Sequence, residues 1–302
     1  MTTGRFAPSP SGSLHVGNLR TAVLAWCFAR SEGGRFLVRM EDLTTEAVAG
    51  HEAEQLADLA ALGVDHDGSI WRSSEHVDGY REAIARLEQA GLTYPCFCSR
   101  REIREAAEAP HGPGTEGSYP GTCAELSEAQ VAERLSQGPL RAIRLRTGGR
   151  SVSVRDRLLG DIGRPVDDFV LRRGDGVAAY NLGVVVDDAA QRVDQVVRGD
   201  DLVPTTARQV LLQELLDLPT PQYAHVPLVV GPNGKGLSKR HGSVSLSDLA
   251  AAGVGPDRVL GMIAESLGLA SAGETPSAAQ VLERFDPGSV DWSVWTFTPP
   301  GG

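Results

Sequence analysis

Lysine is nearly missing from this 302-residue chain. Of 29 basic residues only Lys235 and Lys239 are lysines, and both lie in Gly231-Pro-Asn-Gly-Lys-Gly-Leu-Ser-Lys-Arg240. An ammonium is a compact, strongly hydrated charge on a flexible stem, which a guanidinium cannot replace. A chain that keeps lysine for one loop therefore points to a site there that needs a mobile ammonium. Positive charge is short overall as well: the formal net charge is −10, which gives no support to bulk coating of nucleic-acid phosphates. No uncharged apolar run approaches the roughly 20 residues of a membrane span, and no basic-then-apolar leader opens the chain. Membrane insertion and secretion are disfavoured, and a soluble cytoplasmic protein is expected. The 35 glycines and 18 prolines follow no period and there are no internal repeats, which excludes collagen-like and low-complexity chains.

The length suits one large α/β domain or two modest ones. Residues 4–8 read as a strand ended by proline, 9–17 as a Ser/Gly/Pro loop, 19–30 as a helix with apolar residues at helical spacing, and 35–40 as a second strand. Strand, glycine-rich turn, helix and strand are the opening of a nucleotide-binding sheet. Helices are expected over 46–62, 75–89 and 205–216, resumed buried αβ character over 176–188, and a last strand over 224–230. The fold class is thus α/β, a Rossmann-type parallel sheet over residues 1–242. An insertion over about 93–170 divides it, and a small helical region over 243–302 follows. Residues 141–173 carry nine arginines against four aspartates, which reads equally as a local basic face or as a solvated charged surface.

Two constellations carry chemistry. In Ser9-Pro-Ser-Gly-Ser-Leu-His15-Val-Gly17-Asn18, a helix beginning near Gly17 aims unpaired N–H groups and a positive dipole at an anion, and His15 stands ready to donate to a phosphate oxygen. A plain capping turn reads the same way. In Gly236-Leu237-Ser238-Lys239-Arg240 a glycine-rich loop brings hydroxyl and ammonium donors that can neutralise charge developing on a phosphate; a flexible surface hairpin is the alternative. The two segments stand at opposite ends of what reads as one sheet.

Taken in order, Arg5-Phe-Ala-Pro-Ser-Pro-Ser-Gly12, His15-Val-Gly-Asn18, Arg39-Met-Glu-Asp42, Tyr180-Asn181 before Val184-Val-Val-Asp-Asp188, Arg198-Gly-Asp-Asp201 and Leu237-Ser-Lys-Arg240 resemble the glutamyl branch of the class I aminoacyl-tRNA synthetases. Only about 60 residues follow the lysine loop, too few for that family's anticodon-binding domain. The chain is therefore similar to shortened members that attach glutamate to queuosine in the anticodon of tRNA(Asp). Ordinary esterification of a tRNA 3′ end and a non-catalytic tRNA-binding paralogue are the alternatives. The resemblance implies a glutamate pocket of Arg5, Ala7, Ser9, Glu41, Tyr180 and Arg198, with arginines on carboxylates and Glu41 on the amino group. It implies an ATP site of His15, Gly17, Asn18, Leu237, Ser238 and Lys239, in which His15 and Lys239 are catalytic and Mg2+ accompanies ATP. A monomer is expected. Two positions depart from the family pattern: Gly236 stands where a lysine is usual, with Lys235 adjacent, and Thr44 stands where an aspartate is often found.

The third constellation is Cys96-Phe-Cys98 with Tyr119 and Cys123. Three thiolates leave one position of a tetrahedral zinc site to fill; reduced, buried thiols are the other reading. The family match implies one structural Zn2+ with Tyr119 as fourth ligand, and His111 is the competitor for that position. Cys27, in the first helix, reads as core.

Overall fold

The computed structural model describes residues 1–43, 50–99, 101–103, 119–237 and 244–299. Ser238 and Lys239 of the lysine loop, Thr44 and His111 lie outside the described residues, as do the first positions of the helix expected over 46–62.

The opening unit forms as its sequence dictates. β1 (Thr3–Phe6) leads into α1 (Val16–Ser31), and β2 (Arg35–Met40) returns parallel to β1, with Arg5 opposite Leu37. Gly34 makes the return possible, because a Cβ there would meet the Thr2 carbonyl oxygen at 2.5 Å and that of Ala29 at 2.8 Å. α1 is apolar almost all round, with Leu19, Val23, Leu24, Trp26, Cys27 and Phe28 buried. A helix of that kind must be covered on both sides. The sheet covers one side. The chain beyond residue 244 covers the other, through α7 (Leu246–Ala251), α8 (Pro256–Ser266) and α9 (Ala278–Arg284). Phe28 lies edge-on to Phe285 and stacked on Trp292, with ring centroids 5.2 and 6.1 Å away. The C-terminal helical region thus shares one core with α1.

α2 (His51–Ala61) and β3 (Trp71–Arg72) follow, then α3 (Val77–Gln89), whose expected start at residue 75 is taken by a turn of 3₁₀ helix. The main sheet is completed by β6 (Ser151–Asp156), β7 (Gly160–Pro165), β9 (Gln195–Gly199) and β10 (Gln222–Val226), in the order β3-β2-β1-β9-β10-β6-β7. Only the edge strand β7 runs antiparallel. α3, α5 (Tyr180–Ala190) and α6 (Val203–Leu215) cover the face opposite α1. The strand expected over 224–230 is two strands, β10 and β11 (Val229–Val230), the latter pairing with β12 (Trp295–Thr296). Pro227 stands between them and has no N–H for a ladder.

The segment 93–170 is shared between two sheets. β4 (Thr93–Cys96), β5 (Ala142–Leu145) and β8 (Val170–Arg173) form a separate antiparallel sheet, with α4 (Glu128–Gln137) beside them in sequence. The β6–β7 hairpin belongs to the main sheet, with Asp156 paired opposite Tyr223. Five of the nine arginines of 141–173 are buried or paired. Arg144 is buried, and Arg146, Arg155, Arg157 and Arg173 pair with Glu125, Asp161, Glu32 and Asp175. Four of the nine are thus paired with scattered carboxylates.

Candidate active site

In an open parallel sheet, ligands gather beyond the carboxyl ends of the strands where the winding reverses. Here that point is β1, flanked by β2 and β9. A cavity of about 670 Å3 opens there, lined by Arg5, Ala7 and Ser9 after β1, His15, Gly17 and Asn18 at the start of α1, Glu41 after β2, Tyr180 at the start of α5, Arg198 of β9, and Leu237. Every described residue expected in the glutamate and ATP sites therefore faces one space. Leu237 and Val244 bracket the undescribed part of the lysine loop, and the Val244 carbonyl accepts from Val16 N–H at 3.1 Å, at the first turn of α1.

His15 is the helix cap as well as a cavity residue. Its Nδ1 accepts from Asn18 N–H (3.2 Å), and Asn18 Oδ1 accepts from His15 N–H (3.3 Å). Burial lowers the pKa of His15, so the neutral ring prevails, with its proton on Nε2 as a hydrogen-bond donor. The capping reading of the His-x-Gly turn is met, and the same side chain lines the cavity. Gly17 must be small: a Cβ there would come within 3.0 Å of the His15 ring. The loop before the helix is held by Gln55 of α2, whose amide donates to the carbonyls of Ser9 (3.0 Å) and Gly12 (2.7 Å).

Glu41 is brought beside this loop by its backbone N–H, which donates to Pro8 O at 2.9 Å. Burial raises its carboxyl pKa above the ordinary value, against the pull of Arg39 and Arg5. Arg39, fully buried, donates to Glu41 (3.3 Å) and Asp188 (2.7 Å), and Arg5 donates to Asp188 at 3.2 Å. Burial alone would push Asp188 up, but the two guanidinium groups outweigh it and hold its carboxyl below the usual range. Asp187 accepts from Ser73 (2.7 Å) and Tyr80 (2.8 Å). Arg198 differs from the other two arginines. Its partners are His225, Gln209 and Thr206, at 3.1, 2.7 and 2.8 Å. Among the described residues no carboxylate pairs with it, so its charge is available to a ligand. The cavity thus presents an uncompensated guanidinium, a carboxylate in Glu41 and a helix N-terminus, a set suited to an amino acid with extra negative charge beside a phosphate.

Reading the sequence left Gln55, Asp188, His225 and Gln209 without a role, and Arg39 with none beyond its motif. Asp188, His225, Gln209 and Arg39 bond to residues that line the cavity, and Gln55 lines it itself. Asp188 and Arg39 stand inside quoted motifs, which is the one signal that marked them.

The cysteines converge. Sγ atoms of Cys96, Cys98 and Cys123 all lie within 4.8 Å of one another, and Cys98 and Cys123 are 3.5 Å apart, close to the roughly 3.8 Å edge that four ligands at zinc–sulfur distance impose. The Tyr119 hydroxyl is 3.5 Å from Cys96 Sγ and 3.6 Å from Cys98 Sγ, and it accepts from Cys123 N–H at 2.9 Å. Arg144 donates to Cys96 Sγ at 3.2 Å and lies 3.6 Å from the Tyr119 ring centroid. The donor set fits a thiophilic metal ion. Burial pushes the Cys98 thiol up to about 12, whereas for Cys123 donated hydrogen bonds overcome burial and lower it. Cys27 is core, its thiol pushed up to about 12 by burial. No described helix is long and apolar enough to cross a membrane.

Comparison with known proteins agrees with this geometry. Residues 1–281 match the model of tRNA synthetases class I (E and Q), catalytic domain. The chain is 54% identical over 298 residues to a glutamyl-Q tRNA(Asp) synthetase of Nocardia farcinica, covering 99% of this chain and 94% of the relative. It is 42% identical to the protein of that name from Symbiobacterium thermophilum, covering 95% and 93%. A glutamate–tRNA ligase 1 of Halorhodospira halophila is 37% identical, covering 98% of this chain and 65% of that protein. The crystal structure of a glutamate tRNA ligase from Elizabethkingia meningosepticum, in complex with its amino acid, superposes with a TM-score of 0.82 at 28% identity, covering 99% of this chain and 67% of the other. A switch-point cavity lined by the expected side chains, with near full-length similarity to ligases of one kind, leads to one conclusion: this chain belongs to the class I tRNA synthetases of the E and Q branch, and is a ligase.

Proposed function

We propose that the protein activates L-glutamate with ATP and transfers it to queuosine in the anticodon of tRNA(Asp). In the first step the glutamate α-carboxylate attacks the α-phosphorus of ATP, and the bond to pyrophosphate breaks to leave glutamyl-adenylate. In the second a nucleoside hydroxyl attacks the acyl carbon, gives up its proton and releases AMP. Arg5 and Arg198 hold carboxylates, Ser9 and Tyr180 add hydroxyl donors, Ala7 leaves room, and Glu41 takes the ammonium. Gly17, Asn18 and Leu237 seat ATP, which arrives with Mg2+. Ser238 adds to the ATP site, and His15, the start of α1 and Lys239 stabilise the charge that moves to pyrophosphate, mainly by position and field. The observation that carries the reading is the single cavity shared by Arg5, Glu41, Arg198 and His15.

Queuosine as acceptor is supported by the relatives of that name, which align at 54% and 42% identity over 94% and 93% of their length, against 37% for a glutamate–tRNA ligase over 65% of its length. A charging assay on purified tRNA(Asp), with and without the modified base, tests it. Glutamate is expected only on modified tRNA, released with the anticodon fragment after nuclease cleavage. Glutamate at a 3′ end would instead establish ordinary charging.

Cys96, Cys98, Tyr119 and Cys123 would hold one Zn2+, which supplies a cross-link to a region with few apolar residues of its own. We expect about one zinc per chain by atomic emission, and Cys123→Ser to lose it and to lower the thermal midpoint. Native stability with no bound metal would refute the assignment.

A further inference from the structure

Arg198 reaches the cavity through a buried chain of hydrogen bonds that begins at Asp156, some forty positions earlier in the sequence and two strands away. β9 and β10 run parallel with Arg198 opposite His225, and β10 pairs with β6 so that Tyr223 stands opposite Asp156. Arg198, His225 and Asp156 are 4%, 0% and 2% exposed. Asp156 accepts from His225 Nδ1 at 2.7 Å, and also from the backbone N–H groups of His225, Leu158 and Leu159. Its carboxyl is held below the ordinary range by these donors, against burial. With the proton fixed on Nδ1, His225 Nε2 is left as an acceptor, and it takes the Nε–H of Arg198 at 3.1 Å. The other tautomer would set two N–H groups against each other in a dry interior.

Gln209 Oε1 and Thr206 Oγ1 accept from the two terminal nitrogens of Arg198. The guanidinium is therefore fixed on three sides by acceptors, and one N–H remains on each terminal nitrogen for a carboxylate. None of the three partners carries a neutralising charge against it, in contrast with Arg5, which is paired with Asp188. The one nearby carboxylate in this chain of bonds, Asp156, acts through an imidazole.

We infer that Asp156 and His225 are positioning residues for amino-acid binding: together they set the orientation of Arg198 while leaving its charge uncompensated for the substrate carboxylate. The inference rests on the proposed glutamate pocket. It assigns a function to the β6–β7 hairpin, which brings Asp156 to the main sheet within reach of His225.

The two halves of the imidazole can be removed separately. His225→Asn keeps a donor near the Nδ1 position for Asp156 and removes the acceptor for Arg198. His225→Gln places an amide oxygen near the Nε2 position and restores that acceptor. In glutamate-dependent exchange of pyrophosphate into ATP, His225→Asn is expected to raise KM for glutamate by about tenfold or more, the loss of one charge-assisted hydrogen bond. KM for ATP is expected to change by less than about twofold, and His225→Gln to recover most of the loss. Asp156→Asn, a milder change, frees the imidazole to take the wrong tautomer. It should raise KM for glutamate severalfold at unchanged KM for ATP, and it keeps the test alive if His225→Asn does not fold. Equal losses for both substrates, or a His225→Gln variant as impaired as His225→Asn, would reduce the chain of bonds to a structural role and overturn the inference. If the wild-type protein shows no glutamate dependence, the pocket reading itself fails, which is a separate and visible outcome. If the wild type depends on glutamate and none of the variants shifts its KM, only the positioning role falls.

Discussion

Replacing Asp188 by alanine is expected to lower the thermal midpoint by on the order of 10 °C, because removing one member of a buried ionic cluster costs about 3–5 kcal/mol. Asp188 lies between Arg5 and Arg39, at 3.2 and 2.7 Å, with side-chain exposures of 8%, 5% and 0%. Without it, Arg39 keeps Glu41 at 3.3 Å and a longer approach to Asp187 at 3.8 Å, while Arg5 keeps no carboxylate partner among the described residues. The penalty is mainly that of stranding a buried charge, so an apolar replacement is worse than the neutral amide of Asp188→Asn. The effect has a definite pH dependence. The carboxyl is held below its ordinary value by the two guanidinium groups. Its contribution is therefore present in full above the unfolded pKa of about 4, and is lost as pH falls from there through the folded value. Thermal scans of wild type and Asp188→Asn should diverge at pH 7 and draw together toward pH 3. A constant gap would remove ionisation of Asp188 from the account.

Glu41→Gln is expected to separate binding from stability. In the proposed pocket Glu41 is the partner of the substrate ammonium, so loss of its charge should raise KM for glutamate on the order of 100-fold, the equivalent of one strong charge-assisted interaction. KM for ATP should hold. Folding should not suffer, because burial raises the Glu41 carboxyl above its ordinary value despite Arg39 and Arg5. A raised carboxyl pKa weakens the fold as pH climbs through the unfolded and then the folded value, since the ionised form is the disfavoured one inside. The amide variant escapes this. At pH 7 its midpoint should equal or exceed that of the wild type, and the difference should vanish below about pH 4. That pattern, weaker binding at equal or higher stability, is the one expected of a residue that serves a ligand rather than the fold. An unchanged glutamate dependence would remove Glu41 from the ammonium site.

The elements legible in the sequence are those long enough to show a period. The helix expected over 19–30 is α1 over Val16–Ser31, and the strand expected over 35–40 is β2, Arg35–Met40. The helix expected over 205–216 is α6, Val203–Leu215, with Pro204 in its first turn. The strands that escaped are short or polar. β3 has two residues, and β7 reads Gly-Asp-Ile-Gly-Arg-Pro. Such strands are held by their neighbours in the sheet rather than by local preference. The arginine-rich segment was left open between two readings for a related reason. Arg144 enters the cysteine cluster and Arg157 pairs with Glu32, 125 positions away. No local pattern announces partners at that distance.

The candidate site divides in the same way. His15 and Gly17 were readable from the residues themselves, as a glycine-containing turn at a helix start, whereas Arg5, Arg198 and Glu41 were marked only by the motifs shared with the family; all five line the one cavity. The roles of the residues behind them were not legible. Asp188, Asp156 and His225 act on the arginines of the cavity, directly or through one another, and those contacts exist only once segments distant in sequence lie side by side. The sequence alone established the α/β class, through its opening strand, turn, helix and strand, and the family, through the order of its motifs. Only the tertiary structure decided which arginines are neutralised and which is left charged, because compensation inside a protein depends on distance through a dry interior and not on separation along the chain.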